Sequence, residues 1–197
     1  KGKKRVLLIE LAGTRGIEGA ASDLIKATKD DDEAVRSAAL AALGLTAGPE
    51  HLDFLISRAV DPENDSDKEP AMKALRTACL RMPDREACAA KLTAALEQVP
   101  ETTQNPKLER RWDRATKKWI WVSGSTRSRL LEILGAMGGE KALDTVEAAA
   151  KDSADPALQD TAVRLLGSWL SPKAAPVLLD LAKSATSAKH KQAALEG

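Results

Sequence analysis

Aromatic residues are nearly missing from this chain of 197 residues, which has four Trp, one Phe and no Tyr. Phe54, Trp112, Trp119, Trp121 and Trp169 are the whole set, so the core has to be aliphatic and close-packed. Residues that favour strands are thin, whereas Ala (35) and Leu (26), the two best helix formers, dominate. That balance argues against an all-β or doubly wound α/β fold and points to an all-α one.

An excess of charge is missing too. Thirty Lys and Arg stand against 29 Asp and Glu, a formal net charge of +1, which supplies no global field for nucleic acid or an anionic membrane. No apolar run approaches the ~20 residues that cross a bilayer, so membrane insertion is not expected. The basic start Lys1-Gly2-Lys3-Lys4-Arg5 and the apolar Val6 to Ile9 resemble the opening of a signal peptide, but Glu10 and Arg15 interrupt the stretch too early. The chain opens without Met and closes at Ala194-Leu195-Glu196-Gly197 inside a repeating pattern, as expected of a segment of a longer protein.

Cysteine is scarce as well. Cys79 and Cys88 cannot build a disulfide framework, and the lack of any C-x-x-C pair removes structural zinc, thioredoxin-type and covalent haem readings. The two fall on either side of a turn at Met82-Pro83-Asp84, late in one expected helix and early in the next. A bridge across that turn and a pair of small buried thiols both fit.

What the chain does have is a repeat. A basic or polar residue, seven residues, then Gly closes an Ala/Leu-rich stretch at Arg5 to Gly13, Arg36 to Gly44, Arg127 to Gly135 and Gln159 to Gly167. A degenerate copy runs from Lys73 to Arg81, and Lys191 opens a truncated one. Successive starts are 31, 37, 54, 32 and 32 residues apart, so one interval carries about 20 extra residues. Each period holds two helix-length segments. In the clearest, Glu33 to Leu45, Val35, Ala38, Ala39, Ala42 and Leu43 recur at helical steps behind the capping run Asp30-Asp31-Asp32. Gly44 is placed to end that helix in the left-handed conformation. Ala47-Gly48-Pro49 then breaks the chain before Glu50 to Val60, whose stripe is Leu52, Leu55, Ile56 and Ala59. The same grammar gives helices over Ala142 to Ala150, Leu158 to Leu170 and Ala175 to Lys183. Pairs this short bury an apolar face only by stacking, which predicts a right-handed α-solenoid of about five antiparallel helix pairs.

Asp30 to Gly44 and Leu130 to Gly135 followed by Gly138-Gly139 resemble HEAT repeats, with an acidic inter-helix turn before a helix carrying Val-Arg and Ala-Leu-Gly elements. The stretch from Leu130 to Gly197 is especially similar to HEAT modules of large exported planctomycete-type bacterial proteins. The likeness covers nearly the whole chain except about 99–125. It implies an inter-repeat ladder of hydrogen bonds from an Asp in the turn and a basic residue six positions later, which Asp30 with Arg36 and Asp67 with Lys73 match. Ser153 before Gln159 and Trp121 before Arg127 depart from that spacing, so the ladder is expected to be interrupted there.

The insertion, 99–125, is expected to be irregular or a β-hairpin. Within it, from Gln104 to Gly124, Lys107, Arg110, Arg111, Arg114, Lys117 and Lys118 face only Glu109 and Asp113, a local charge of +4 that leaves −3 for the rest. Trp119 and Trp121 alternate with Lys118, Ile120 and Val122, so Arg110 to Val122 fits a hairpin turning near Arg114-Ala115-Thr116. Arg110, Arg111, Trp112, Arg114, Lys117, Lys118, Trp119 and Trp121 are therefore candidate partner-binding residues, suited to anchoring a protein through Trp or to gripping phosphate while stacking on a base. Trp packing back onto the helices is the other reading.

Asp61 to Glu69 alternates carboxylates, but Ser66 and Met72 stand where a calcium loop needs Gly and Glu, so a solvated turn is expected. His51 and His190 lie in distant repeats. No H-E-x-x-H, G-x-S-x-G, Walker-type or G-x-G-x-x-G element occurs, and the His-Glu pairs of iron-dependent HEAT-repeat hydroxylases are missing. The sequence reads as a monomeric, non-enzymatic scaffold or protein-interaction module with no metal or cofactor. The alternative is a nucleic-acid-binding protein of the HEAT-like DNA glycosylase kind, using Trp112, Asp113 and Trp169 with the insertion's Lys and Arg. Compartment follows only from the resemblance, which leans to export.

Overall fold

The structure, a computed structural model, describes residues 2–100, 108–113, 118–152, 154–169 and 172–184. The chain forms two compact units, 1–91 and 92–197. Both are built from helix pairs, and among the described residues no helix is long and apolar enough to cross a membrane.

The first unit holds α1 (Gly2–Thr14), α2 (Ala21–Ala27), α3 (Glu33–Thr46), α4 (Leu52–Val60), α5 (Lys68–Arg81) and the start of α6 (Arg85–Gln98). Capping sets where α3 begins. The Asp32 carboxylate accepts from the Ala34 N–H at 3.0 Å, satisfying one of the donors that a helix start leaves open. From there the helical spacing carries Val35, Ala39, Ala42 and Leu43 into the core. α2 packs on α3 and α4 on α5, while α1, α3 and α5 pack against one another in succession. The short side chains of these helices let them approach closely, and Leu40, Leu43, Leu55 and Leu75 fill the space between.

Gly44 departs from expectation. It lies inside α3, which continues to Thr46, and among the described glycines only Gly16, Gly138 and Gly139 have positive φ. The physical reason for Gly44 is proximity, because a Cβ there would stand 2.9 Å from the Ala74 carbonyl oxygen and 3.0 Å from its Cα. Gly13 faces Ala42 in the same way, with a Cβ meeting the Ala42 Cα at 2.8 Å. The helix instead stops at Ala47, and Pro49 opens a short 3-10 turn, Pro49–His51, ahead of α4.

The second unit holds the end of α6, two strands, α7 (Thr126–Met137), α8 (Glu140–Lys151), α9 (Pro156–Gly167) and α10 (Ala175–Ser184). Ser125 caps α7 by accepting from the Ser128 N–H at 3.1 Å, and Gly138, at φ 67°, ends it. Asp155 caps α9, with Pro156 at the first helical position. α7, α8 and α9 pack mutually around Leu130, Leu134, Val146, Leu158 and Leu166. Between α6 and α7 the backbone of β1 (Leu108–Asp113) runs antiparallel to β2 (Lys118–Ser123), with Arg110 opposite Trp121 and Trp112 opposite Trp119. The turn expected at Arg114-Ala115-Thr116 lies outside the described residues.

Candidate functional site

A ladder of charged hydrogen bonds runs along the inter-helix turns. The Arg36 Nε donates to both Asp67 carboxylate oxygens, at 2.9 and 3.1 Å, and its Nη1 donates to the carbonyls of Asp30 and Asp31. Asp30 itself accepts from Arg5, and in the second unit the Arg127 Nη1 donates to Asp155 at 2.9 Å. Each rung therefore joins a basic residue to the Asp of the following turn. Lys73 is exposed and forms no ion pair among the described residues.

Two expectations change here. The rung expected to fail before Gln159 is made by Asp155, which divides its oxygens between capping α9 and receiving Arg127. The solvated acidic turn also contains a buried group. Asp65–Asp67 forms a 3-10 turn that carries Asp67 inward, where Asn64 and Ser66 donate to it beside Arg36. The Asp30 carboxyl is held below the usual carboxylate range, first by the Asp32 backbone N–H and then by Arg5. Hydrogen bonding to Asp67 raises Arg36 in turn, fixing its charge.

Of the insertion residues, Arg114 and Lys117 lie outside the described residues. Arg110, Arg111 and Trp112 lie on β1, and Lys118, Trp119 and Trp121 lie on β2. Trp169, the remaining Trp, is half-buried just after α9, and Phe54 is half-buried under the Arg58 guanidinium, 5.2 Å from its ring centre.

A surface that the sequence reading missed lies on α1. Leu7, Leu8 and Leu11 are 65%, 66% and 51% exposed, and Ile17 follows in the next turn, also exposed. Counted from the basic residue that opens each repeat, these leucines occupy the second, third and sixth positions. In α3 the same positions are Ala38, Ala39 and Ala42, which are buried, the last against Gly13 of the preceding helix. In α7 they are Arg129, Leu130 and Ile133, again buried. The face that later repeats bury is thus open on α1 and is bulkier there. Aligning the repeats position by position would have exposed that contrast, three leucines where the next copy has three alanines.

Among the described residues catalytic groups do not assemble. A cleft of 370 Å³ opens between the turn at Thr46–Pro49 and the end of α5, with Glu50 and Arg81 on its walls. Arg81 is engaged with the Gly44 carbonyl at 3.3 Å, and no nucleophile with a neighbouring base stands in the cleft. The His51 Nδ1 lies 3.0 Å from Glu50 and 3.4 Å from the Gly48 N–H. His190 lies outside the described residues. Among the described residues no three His, Cys, Asp or Glu gather as a metal site.

No curated protein sequence matches this chain. Among solved structures, human deoxyhypusine hydroxylase in complex with glycerol is similar at 18% identity and a TM-score of 0.37, over 96% of this chain. The chain spans 65% of the length of that protein. The profile described as HEAT repeats matches residues 2–76 and again 123–197, leaving out 77–122, which holds β1 and all of β2 but Ser123. With helix pairs, buried Ala/Leu stripes and a turn-to-turn Arg–Asp ladder beneath both matches, the chain belongs to the HEAT-repeat family.

Proposed function

We propose that this chain is a non-enzymatic protein-interaction or scaffold module and that the open apolar face of α1 is one of its contacts, for a neighbouring repeat or for a partner. HEAT repeats make helical scaffolds and interaction modules, and the observation carrying this reading is the exposure of Leu7, Leu8 and Leu11 where later repeats bury the same positions. Contiguous exposed apolar surface on a water-facing helix is a mark of a binding site. One helix face falls short of the ~1,200 Å² of total area that a stable interface buries, so the chain by itself acts as a monomer and the partner supplies additional contacts.

The basic, Trp-bearing stretch 99–125 is proposed as the second contact, through Arg110, Arg111, Trp112, Arg114, Lys117, Lys118, Trp119 and Trp121. Residues 104–124 within it carry a local charge of +4, which suits an acidic protein surface, with Trp as the anchoring side chains. The whole span is proposed to work as one repeat array with this insertion within it.

The test is affinity capture from the cells that make the protein, with wild type and Leu7→Ser/Leu11→Ser run in parallel. Partners held by wild type and lost from a variant with an unchanged helical circular dichroism spectrum support the reading. An identical set on both removes α1 as the contact.

A further inference from the structure

Lys4 and Arg15 stand at the two ends of the open leucine face of α1. Both are exposed, and neither forms an ion pair among the described residues. They are 11 positions apart, three turns and ~16 Å along a helix, and with Leu7, Leu8 and Leu11 they keep the i, i+3, i+4, i+7, i+11 spacing of a single stripe. The Arg15 N–H still donates to the Leu11 carbonyl at 2.9 Å, so the helical path reaches that residue. Lys3 and Glu10 lie along one edge of the stripe and offset each other in charge.

The later repeats carry no charge at these two places. The position before the residue that opens each repeat, Lys4 in α1, is Val35, Met72, Thr126 and Leu158 in the others, and Val35, Met72 and Leu158 are buried. The tenth position after it, Arg15 here, is Thr46, Pro83, Met137 and Trp169, of which Thr46 and Met137 are buried. α3, which packs on α1, thus ends its covered face in Val35 and Thr46, where α1 has two cations. Covering α1 as α3 is covered would take both charges out of water, which is costly unless the covering surface brings carboxylates to meet them.

We propose, resting on the reading of α1 as a contact, that its face seats an acidic amphipathic helix of a partner protein. The apolar stripe of that helix lies on Leu7, Leu8 and Leu11, and Asp or Glu side chains about three turns apart on it meet Lys4 and Arg15. The two helices cross at a shallow angle, because only a helix running nearly along α1 reaches both cations. Leucine burial supplies affinity, and the end charges select the partner and fix its register. A second copy of the chain does not fit. Laid antiparallel with Leu8 on Leu11, α1 against α1 sets Lys4 on Arg15, and laid parallel it sets each cation on itself. An anionic membrane is disfavoured by the acidic run Asp30 to Glu33, which the Arg5–Asp30 pair holds beside the start of α1. A narrow helix on the stripe passes that run, whereas a broad anionic surface meets it.

The experiment titrates the folded chain against three fluorescein-labelled helical peptides of about four turns, read by fluorescence anisotropy. All share one leucine stripe and carry Glu, Gln or Lys at the two flanking positions. The Glu peptide is expected to bind saturably, about fivefold tighter than the Gln peptide and at least about tenfold tighter than the Lys peptide, with the gaps shrinking as salt rises. Lys4→Glu/Arg15→Glu, two changes at exposed positions, should invert that order, and Leu7→Ser/Leu11→Ser should abolish binding of all three at an unchanged helical circular dichroism spectrum. Equal binding of the three peptides, or no saturable binding of the Glu peptide, overturns the acidic helix. Equal binding that Leu7→Ser/Leu11→Ser still abolishes leaves α1 as a contact for another occupant, whereas binding that this variant keeps removes α1 as the contact altogether. A chain that ignores the peptides and sediments with phosphatidylserine-containing vesicles overturns the proposal in favour of a membrane. The peptide comparison needs only the wild-type chain, so it decides even if a variant fails to fold.

Discussion

Arg36 and Asp67, 31 residues apart, are joined as a fork, one Nε shared between both carboxylate oxygens and both side chains nearly out of water. The pair ties the start of α3 to the turn before α5, and Arg36 also holds the carbonyls of its own turn. Breaking a buried pair from one side strands the other charge, while removing both partners spares that penalty. Arg36→Met and Asp67→Asn should each lower the urea midpoint clearly more than Lys26→Met, whose pair with Asp23 is fully exposed. The double variant Arg36→Met/Asp67→Leu should lose less than the two single losses added together, in a double-mutant cycle read by denaturant unfolding.

The glycines that close each repeat give a second prediction. Ala is the better helix former by ~1 kcal/mol, so Gly→Ala inside a helix ordinarily stabilises. At Gly44 the new methyl meets backbone, the Ala74 oxygen at 2.9 Å, and at Gly13 it meets the Ala42 Cα at 2.8 Å. Neither neighbour can rotate away, so Gly44→Ala and Gly13→Ala should destabilise by about 1–3 kcal/mol in urea titrations. At Gly135 the obstacle is the end of the Leu165 side chain, 2.8 Å away, which can turn. Gly135→Ala should therefore cost distinctly less than Gly44→Ala.

Acid should weaken the fold through Asp30 and Glu140. Both carboxyls are held below the ordinary range, Asp30 first by the Asp32 N–H and Glu140 first by its hydrogen bond from Lys173. The unfolded chain then binds protons more readily, so the stabilisation is present above the ordinary carboxylate range and is lost as pH falls below about 4. Urea midpoints measured from pH 7 to pH 3 should decline, and Asp30→Asn should flatten part of that decline.

The helix pairs were legible in the sequence because periodicity and caps are local. Asp32 ahead of Val35, Ala38, Ala39 and Ala42 gives α3 within a residue or two, and Pro49 marks the next start. What local pattern does not carry is which helix lies opposite. Gly44 reads as a terminator from its place at the end of an apolar run, yet its reason is the backbone of Ala74, 30 residues away in sequence. The rung from Arg127 was hidden for a similar reason. Its acceptor, Asp155, stands four residues before Gln159 instead of six, and only the packing of α7 on α9 brings the two together. The open leucines of α1 are legible as apolar residues, but exposure belongs to the fold.

Nucleic-acid binding is the reading that the charge distribution disfavours. Residues 104–124 carry +4, but the remaining residues sum to −3, which weakens the long-range attraction for a polyanion. Titrations with DNA and with RNA should show no salt-sensitive binding near physiological ionic strength. Binding whose logarithm falls linearly with log salt, with a slope reduced by Arg110→Ala/Arg111→Ala, would reverse that expectation.

The leucines of α1 and α3 separate binding from folding. Leu43 is 0% exposed and sits among the α3 contacts, so Leu43→Ala removes buried methyl groups and leaves a cavity, at a cost of about 2–5 kcal/mol. Leu8 is 66% exposed and supports no neighbour to that degree, so Leu8→Ser should change stability by no more than about 0.5 kcal/mol. Thermal unfolding of the two variants measures that difference directly. A residue whose removal leaves the fold intact can still carry an interaction, because a partner would bury what the monomer leaves in water. Under the proposed function Leu8→Ser keeps the melting curve and loses the captured partners, whereas Leu43→Ala loses the melting curve first. Should Leu8→Ser melt as early as Leu43→Ala, the α1 face is structural and the proposed contact must move to the insertion.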